Sequence, residues 1–125
     1  MKKASGQSLV EMVVAISVVL IVIVALVAVT TVSVRNASFS RNQALAMRYA
    51  QEGIEEARKL RDSQKEDVFF VNDSCSITKT IGIFSFQRTC RLAGDKTMTV
   101  TVVVSWTDAK GTHKSELTTH LSKWK

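Results

Sequence analysis

The chain is predicted to be an α+β protein, with one long N-terminal helix packed on a small C-terminal antiparallel β-sheet. Three observations predict it. Residues 9–34, LVEMVVAISVVLIVIVALVAVTTVSV, run almost without a polar interruption. Apolar residues then recur at helical spacing as far as Leu60. From Phe84 onward they alternate with polar residues, with turn residues at 93–95 and 108–111. A period of 3.6 giving way to a period of 2 marks a helix followed by strands.

The apolar run is long enough to span a membrane, because about 20 residues at 1.5 Å rise cover a ~30 Å hydrocarbon core. The excess allows tilt, or a helix that continues past the bilayer. Its one carboxylate, Glu11, lies near the start. A carboxylate at the centre of a membrane helix costs about 2.5–3.5 kcal/mol, less near an end, and such a group usually has a partner or a task. One reading leaves Glu11 at headgroup level in the first helical turn, where the helix dipole favours it. The other gives it a partner in assembly.

The six residues before Gln7 are MKKASG. A secretory signal has an apolar core of about 7–15 residues followed by a small-x-small site. This run is longer, and Ala25 and Ala28 stand three apart, so ordinary signal peptidase cleavage is not expected. The leader is basic and ends in Gly6; Gln7-Ser8, the aliphatics Leu9-Val10 and then Glu11 follow, ahead of the rest of the apolar run. That arrangement resembles the class III prepilin leader of type IV pilins and type II secretion pseudopilins. The resemblance implies cleavage after Gly6 by a prepilin peptidase, N-methylation of the new N-terminus Gln7, and assembly through Glu11. It also implies a type IV pilin-like fold and, as partners, other pilin or pseudopilin subunits, an inner-membrane assembly platform and membrane lipid.

The physics of Glu11 stands beside the resemblance. With Gly6 removed, Gln7 carries an α-ammonium at the mouth of an apolar helix. In a staggered bundle, one subunit's ammonium reaches the next subunit's carboxylate. Removing one partner of a buried pair typically costs about 3–5 kcal/mol, so Glu11 would set the axial register of an otherwise featureless apolar rod. The first mature residue is Gln where the family more commonly has Phe. The chain has no proline, so the kink frequent in pilin helices is not expected; residues 28–33, with Thr30-Thr31, are the one weak point.

Past residue 34 the helix is expected to continue. Ala44, Met47, Ala50, Ile54, Ala57 and Leu60 form a narrow apolar stripe. Glu55 and Lys59 stand at the i,i+4 spacing of a favourable pair, whereas Glu52 and Glu56 are mildly repulsive. Gly53 costs about 1 kcal/mol against Ala inside a helix, and close packing is the reason expected for it. Residues 50–61, AQEGIEEARKLR, resemble the corresponding stretch of PilV-type minor pilins and I-type minor pseudopilins. Periodicity is lost at 62–65, where the helix should end.

Residues 68–83 are less legible: VFFV is a short apolar run, and Asn72-Asp73-Ser74 is turn chemistry. Phe84, Phe86, Arg88, Cys90 and Leu92 alternate with polar residues and form a strand. After the turn Ala93-Gly94-Asp95, Met98, Val100, Val102, Val104 and Trp106 share one face of the clearest strand. Residues 108–111 close a hairpin into a last strand whose Leu117, Thr119 and Leu121 share a face. A meander of three or four strands results, covered by the apolar stripe of the helix. The expected organisation is a leader at 1–6, a transmembrane and polymerisation helix at 7–34, its amphipathic continuation at 35–66, and an extracytoplasmic sheet at 67–125.

The net charge of +6, from 17 basic and 11 acidic residues, is spread along the chain and reads as ordinary solubility. Lys2 and Lys3 flank one end of the apolar run and Arg35 and Arg41 the other, so the positive-inside count is balanced. The cysteines and the β-rich tail favour an N-terminus in the cytoplasm. Cys75 and Cys90 would stay thiols in a reducing compartment. In an exported domain they are expected to form a disulfide, worth about 3 kcal/mol for a loop of ~15 residues.

No catalytic or metal-binding pattern emerges, and no enzyme activity, cofactor or metal is expected. The chain has no Gly-rich phosphate loop, GxSxG or HExxH. His113 and His120 fall on opposite faces of the last strand and read as solvent-facing. Trp106 reads as core, and Trp124 as a frayed terminus or an exposed contact. Arg35, Arg41 and Arg48 follow the membrane segment, and DNA held by a competence pseudopilin is the weaker reading of them. The expected function is a structural subunit, a minor pilin or pseudopilin, of a type IV pilus or secretion filament. The competing class is a bitopic membrane protein with a ligand-sensing head.

Overall fold

The structure, a computed structural model, describes residues 5–123. Lys2, Lys3 and Trp124 lie outside the described residues. The order is α1 (Ser5–Ser63), α2 (Glu66–Phe69), β1 (Ile77–Ile81), β2 (Phe84–Leu92), β3 (Thr97–Asp108) and β4 (Gly111–Ser122). The strands form one antiparallel sheet in the order β1-β2-β3-β4. This is the α+β architecture expected of a pilin-like chain. Two compact units divide the chain, residues 1–39 and 40–125, and α1 contributes to both.

In the first unit α1 is apolar all round. Its side chains from Leu9 to Val34 are exposed, and the helix is long and apolar enough to cross a membrane. Three hydroxyls inside it are satisfied locally: Ser17 donates to Val13 O at 2.7 Å, Thr30 to Leu26 O at 2.7 Å and Thr31 to Val27 O at 2.9 Å. A hydroxyl that bonds the carbonyl one turn back leaves no bare polar group for lipid to meet. Residues 28–33, the expected weak point, stay helical.

In the second unit the remainder of α1 covers one face of the sheet. Its buried residues are Ala46, Ala50, Gly53, Ile54 and Ala57, with Leu45, Tyr49 and Leu60 partly buried. The expected stripe therefore holds from Ala50 onward, but Ala44 and Met47 are exposed and Ala46 takes their place. The reason is angular: each step of three residues falls about 60° short of a full turn, so extending the stripe from Ala50 back through 47 to 44 drifts it round the helix. Against this seam stand Phe84, Phe86, Met98, Val100, Val102, Val104, Trp106 and Leu121.

Gly53 marks the closest approach. A Cβ built there would lie 2.6 Å from Phe86 Cζ, 2.8 Å from Phe86 Cε2 and 3.2 Å from Val102 Cγ1. Helix propensity is given up at this position so that backbone meets aromatic ring. The β3–β4 hairpin has Asp108 opposite Gly111, whose φ of 127° suits only glycine. Asp108 Oδ1 accepts the N–H of Lys110 at 2.7 Å and closes that turn.

The segment with no clear reading becomes α2, a loop and β1. Phe69 and Phe70 are buried in the core, edge to face with ring centroids 5.1 Å apart. The loop is then laced to the end of β2: Asp73 N donates to Cys90 O at 2.9 Å, Cys90 N to Ser76 Oγ at 3.0 Å, and Leu92 N to Asn72 Oδ1 at 2.9 Å. Cys75 and Cys90 are joined by a disulfide, with their Cα atoms 5.6 Å apart.

Candidate functional site

The N-terminal end of α1 gathers the residues singled out for processing and assembly. Gly6 is exposed, and a Cβ added there would meet nothing within 4 Å. Gln7 belongs to the same helix, one turn before Glu11. Glu11 is exposed among Leu9, Val10, Met12, Val13 and Val14, which are all exposed as well. Along the chain the nearest basic residues on either side are Lys3 and Arg35. Among the described residues from Ser5 to Val34 the sequence has no basic side chain, and beyond Gln7 and Ser8 the neighbours of the carboxylate are apolar.

The second unit contributes an ionic cluster built on one buried guanidinium, whose carboxylate partner Glu56 stays half-exposed. Arg88 faces inward from β2, between Phe86 and Cys90, and is 5% exposed. Its Nε donates to Cys75 O at 2.7 Å, and its Nη1 to Gly53 O at 3.1 Å and to Glu56 Oε2 at 3.0 Å. Lys79 Nζ stands 3.7 Å from Glu56 Oε1. One guanidinium thus joins α1, the loop carrying Cys75 and the sheet. A buried charge is tolerated when it is paired and its donors find acceptors, which is the arrangement here.

Sequence reading missed this cluster. Its trace was visible as a lone Arg at an inward-facing position of an alternating strand. The partner was not, because Glu56 lies 32 residues earlier and looks like one more surface acid. The helix pairs also differ from expectation. Glu55 bonds Arg58 rather than Lys59, and Glu52 pairs with Arg48 at 3.0 Å. Arg48, one of three residues considered for DNA, therefore has its charge matched by a neighbour.

The histidines do lie on opposite faces, but His113 is not solvent-facing. It is half-buried, with its ring centroid 5.5 Å from that of Trp106 and Nε2 3.0 Å from Asp108 Oδ1. Trp106 in turn meets Phe84, and Phe84 meets Tyr49, both edge to face. His113 is the inward residue nearest the hairpin, where Trp106 stands directly opposite it. The N–H of Lys110, then the hydrogen bond with His113, hold the Asp108 carboxyl below its ordinary value of 3.8. His120 is exposed and bonds Thr99 across the strands at 3.0 Å. Among the described residues no group of three or more His, Cys, Asp or Glu side chains is gathered for a metal ion.

Residues 1–27 match the family model described as the prokaryotic N-terminal methylation motif. No curated protein and no solved structure matches the chain.

Proposed function

We propose that this chain, marked by its N-terminal motif as a type IV pilin-like or pseudopilin subunit, is a minor subunit of a type IV pilus or type II secretion-like filament. It is anchored in the membrane before assembly, with residues 40–125 on the extracytoplasmic side. Prepilin peptidase removes residues 1–6 after Gly6, and the exposed amine of Gln7 is methylated. Residues 7–34 then leave the bilayer for the filament core, where Glu11 takes the α-ammonium of a neighbouring subunit as its partner.

The observation that carries this reading is the coincidence of the methylation motif with an unbroken apolar helix, exposed on every side and bearing a single carboxylate. A helix meant only to anchor gains no more from Glu11 than the modest favour of the helix dipole at headgroup level. One that must pack beside copies of itself needs a charge to fix its register, because apolar surface alone slides. The minor role is supported by the likeness of residues 50–61 to minor subunits.

The test is the intact mass of the membrane-extracted protein with and without a co-expressed prepilin peptidase. The expected product begins at Gln7 and carries one added methyl. A chain that still begins at Met1 beside an active peptidase overturns the reading.

A further inference from the structure

We propose that β4 is a docking edge for β1 of a second copy of this chain, so that neighbouring copies join their sheets side by side with each α1 on the same face and pointing the same way.

Both edges of the sheet are open. β4 is a 12-residue strand that pairs, among the described residues, with β3 alone, in one register from Thr97↔Ser122 to Asp108↔Gly111. Proteins commonly blunt such an edge with proline, a bulge or a charge turned inward. The chain has no proline, the β3–β4 register has no bulge, and the inward residues past His113 are Ser115, Leu117, Thr119 and Leu121. Lys114 and Glu116 point to the outer face, where their charged groups stand 3.7 Å apart. At the other edge, inward Ile77 of β1 is 42% exposed, and Lys79 is already turned to Glu56 and the ring of Phe86.

Direction and parity both fit. Each hairpin reverses the chain, so in this meander β1 and β4 run opposite ways. A copy set beside the first in the same orientation therefore offers β1 antiparallel to β4. The β1–β2 and β3–β4 hairpins have two-residue turns, closed by the hydrogen-bonded pairs Ile81↔Phe84 and Asp108↔Gly111. Bonded pairs alternate from there, so Ile77, Lys79 and Ile81 bond β2, while Thr78 and Thr80 turn their backbone groups to the free edge. On β4 the odd residues bond β3 and the even ones face out. The side-chain bonds Thr99–His120, Thr101–Thr118 and Thr107–Thr112 fall at the pairs without backbone bonds, where side chains come closest. Thr78, Thr80, Lys114, Glu116 and Thr118 are all exposed on the face away from α1. Antiparallel partners share a face, so a ladder between these residues keeps both helices on one side. Antiparallel pairing of β4 with β4 would instead point the two helices in opposite directions, whereas copies inserted in one membrane share one direction.

Side chains and charge complete the match. The registers put Ile77, Arg88, Val102 and Leu117 in one row across the sheet. Extended level into a second copy, that row sets its Ile77 against half-buried Leu117, and pairs its Thr78 with Glu116 and its Thr80 with Lys114. A groove between α1 and β4 is lined by Ile54, Glu55, Arg58, Leu117 and Thr119 among others. Its Glu55 and Arg58 face Glu56 and Lys79 of the second copy, an acid and a base against an acid and a base, all part-exposed. The ladder is short because β1 has 5 residues, so it is weak between free molecules and gains from copies held close in a bilayer.

The test is cysteine cross-linking of the full chain in membranes, where Cys75 and Cys90 are tied up in their disulfide. Thr78→Cys and Glu116→Cys are co-expressed with different tags and mildly oxidised. Residues directly opposed on antiparallel strands lie within the reach of a disulfide. The expected result is a reducible dimer carrying both tags, with none from either variant alone. Gln87→Cys, one strand in from the edge on the same face, should give none with Glu116→Cys. Dimer from Glu116→Cys alone means pairing of like edges, and equal dimer with Gln87→Cys means random collision. Either result overturns the proposal, as does a Thr78→Cys and Glu116→Cys mixture that yields no dimer. The proposal rests on the membrane-anchored part of the subunit reading and not on cleavage. Cross-links are therefore read without prepilin peptidase, and the mass of the product judges processing separately.

Discussion

The ring of Phe86 occupies the space that a Cβ on Gly53 would need, with Cζ 2.6 Å from where that carbon would stand. The helix backbone therefore lies directly on the sheet, and the small residues Ala46, Ala50 and Ala57 share its buried face. Close approach of this kind also brings Gly53 O within reach of Arg88.

Replacing Gly53 sets two effects against each other. Alanine gains about 1 kcal/mol of helix propensity, whereas forcing a methyl into a filled site costs about 1–3 kcal/mol. Contact below 3 Å with an enclosed ring favours the loss. Gly53→Ala is expected to destabilise the protein by about 1 kcal/mol and Gly53→Val by more, as read from chemical unfolding. A Gly53→Ala protein more stable than wild type would refute the steric account.

Glu11→Ala separates processing from assembly. The variant should still yield a product beginning at Gln7, because Gly6 and the apolar run are untouched. Its incorporation into filaments should fall sharply, since the neighbouring ammonium would be left unpaired at a typical cost of about 3–5 kcal/mol. Counting the variant in sheared filament fractions against the membrane pool measures this. Undiminished incorporation would return Glu11 to a headgroup role.

Removing the disulfide should lower stability by about 2–4 kcal/mol, the usual range for a loop of this length. The Cys75→Ser/Cys90→Ser chain is the comparison, unfolded in denaturant beside the oxidised wild type. The loss should appear as a shifted midpoint, and any change of slope would point to altered compactness of the unfolded chain.

Asp108 gives a pH dependence of known sign. Its folded pKa is depressed by the Lys110 N–H and by His113, so the unfolded chain binds its proton more readily. The stability it contributes is present above the ordinary carboxylate value of 3.8 and is lost as pH falls through the lower folded value. The thermal midpoints of the wild type and Asp108→Asn should therefore differ near neutral pH and converge on acidification. A difference that stays constant down to strongly acidic pH would show that the carboxylate's charge plays no part.

Much of the fold was legible because its signals are local. The strand faces Phe84–Phe86–Arg88–Cys90 and Met98–Val100–Val102–Val104–Trp106 are buried as the alternation implied. β1 was not legible, because Ile77–Ile81 carries Lys79 on its inner face and turn residues just before it. His113 was misplaced because strand parity names a face but not how far the covering layer extends over it. Gly6, Gln7 and Glu11 fall within residues 1–27, which match the N-terminal methylation motif, and such a motif is legible because its signal is spacing along one stretch of chain.

By itself, then, the sequence determined the long apolar helix, its single carboxylate, the order of helix and strands, and which side of β2 and β3 faces inward. These follow from periods of 3.6 and 2 and from the cost of polar groups in hydrocarbon, which any short stretch reveals. Only the tertiary structure decided that Ala46 and not Ala44 meets the sheet, that Arg88 chooses Glu56, and that the Cys75 carbonyl completes its shell. These partners lie up to 35 residues apart in the chain. A buried charge takes whichever acceptors the packed layers bring to it, and that choice exists only once helix, loop and sheet have met.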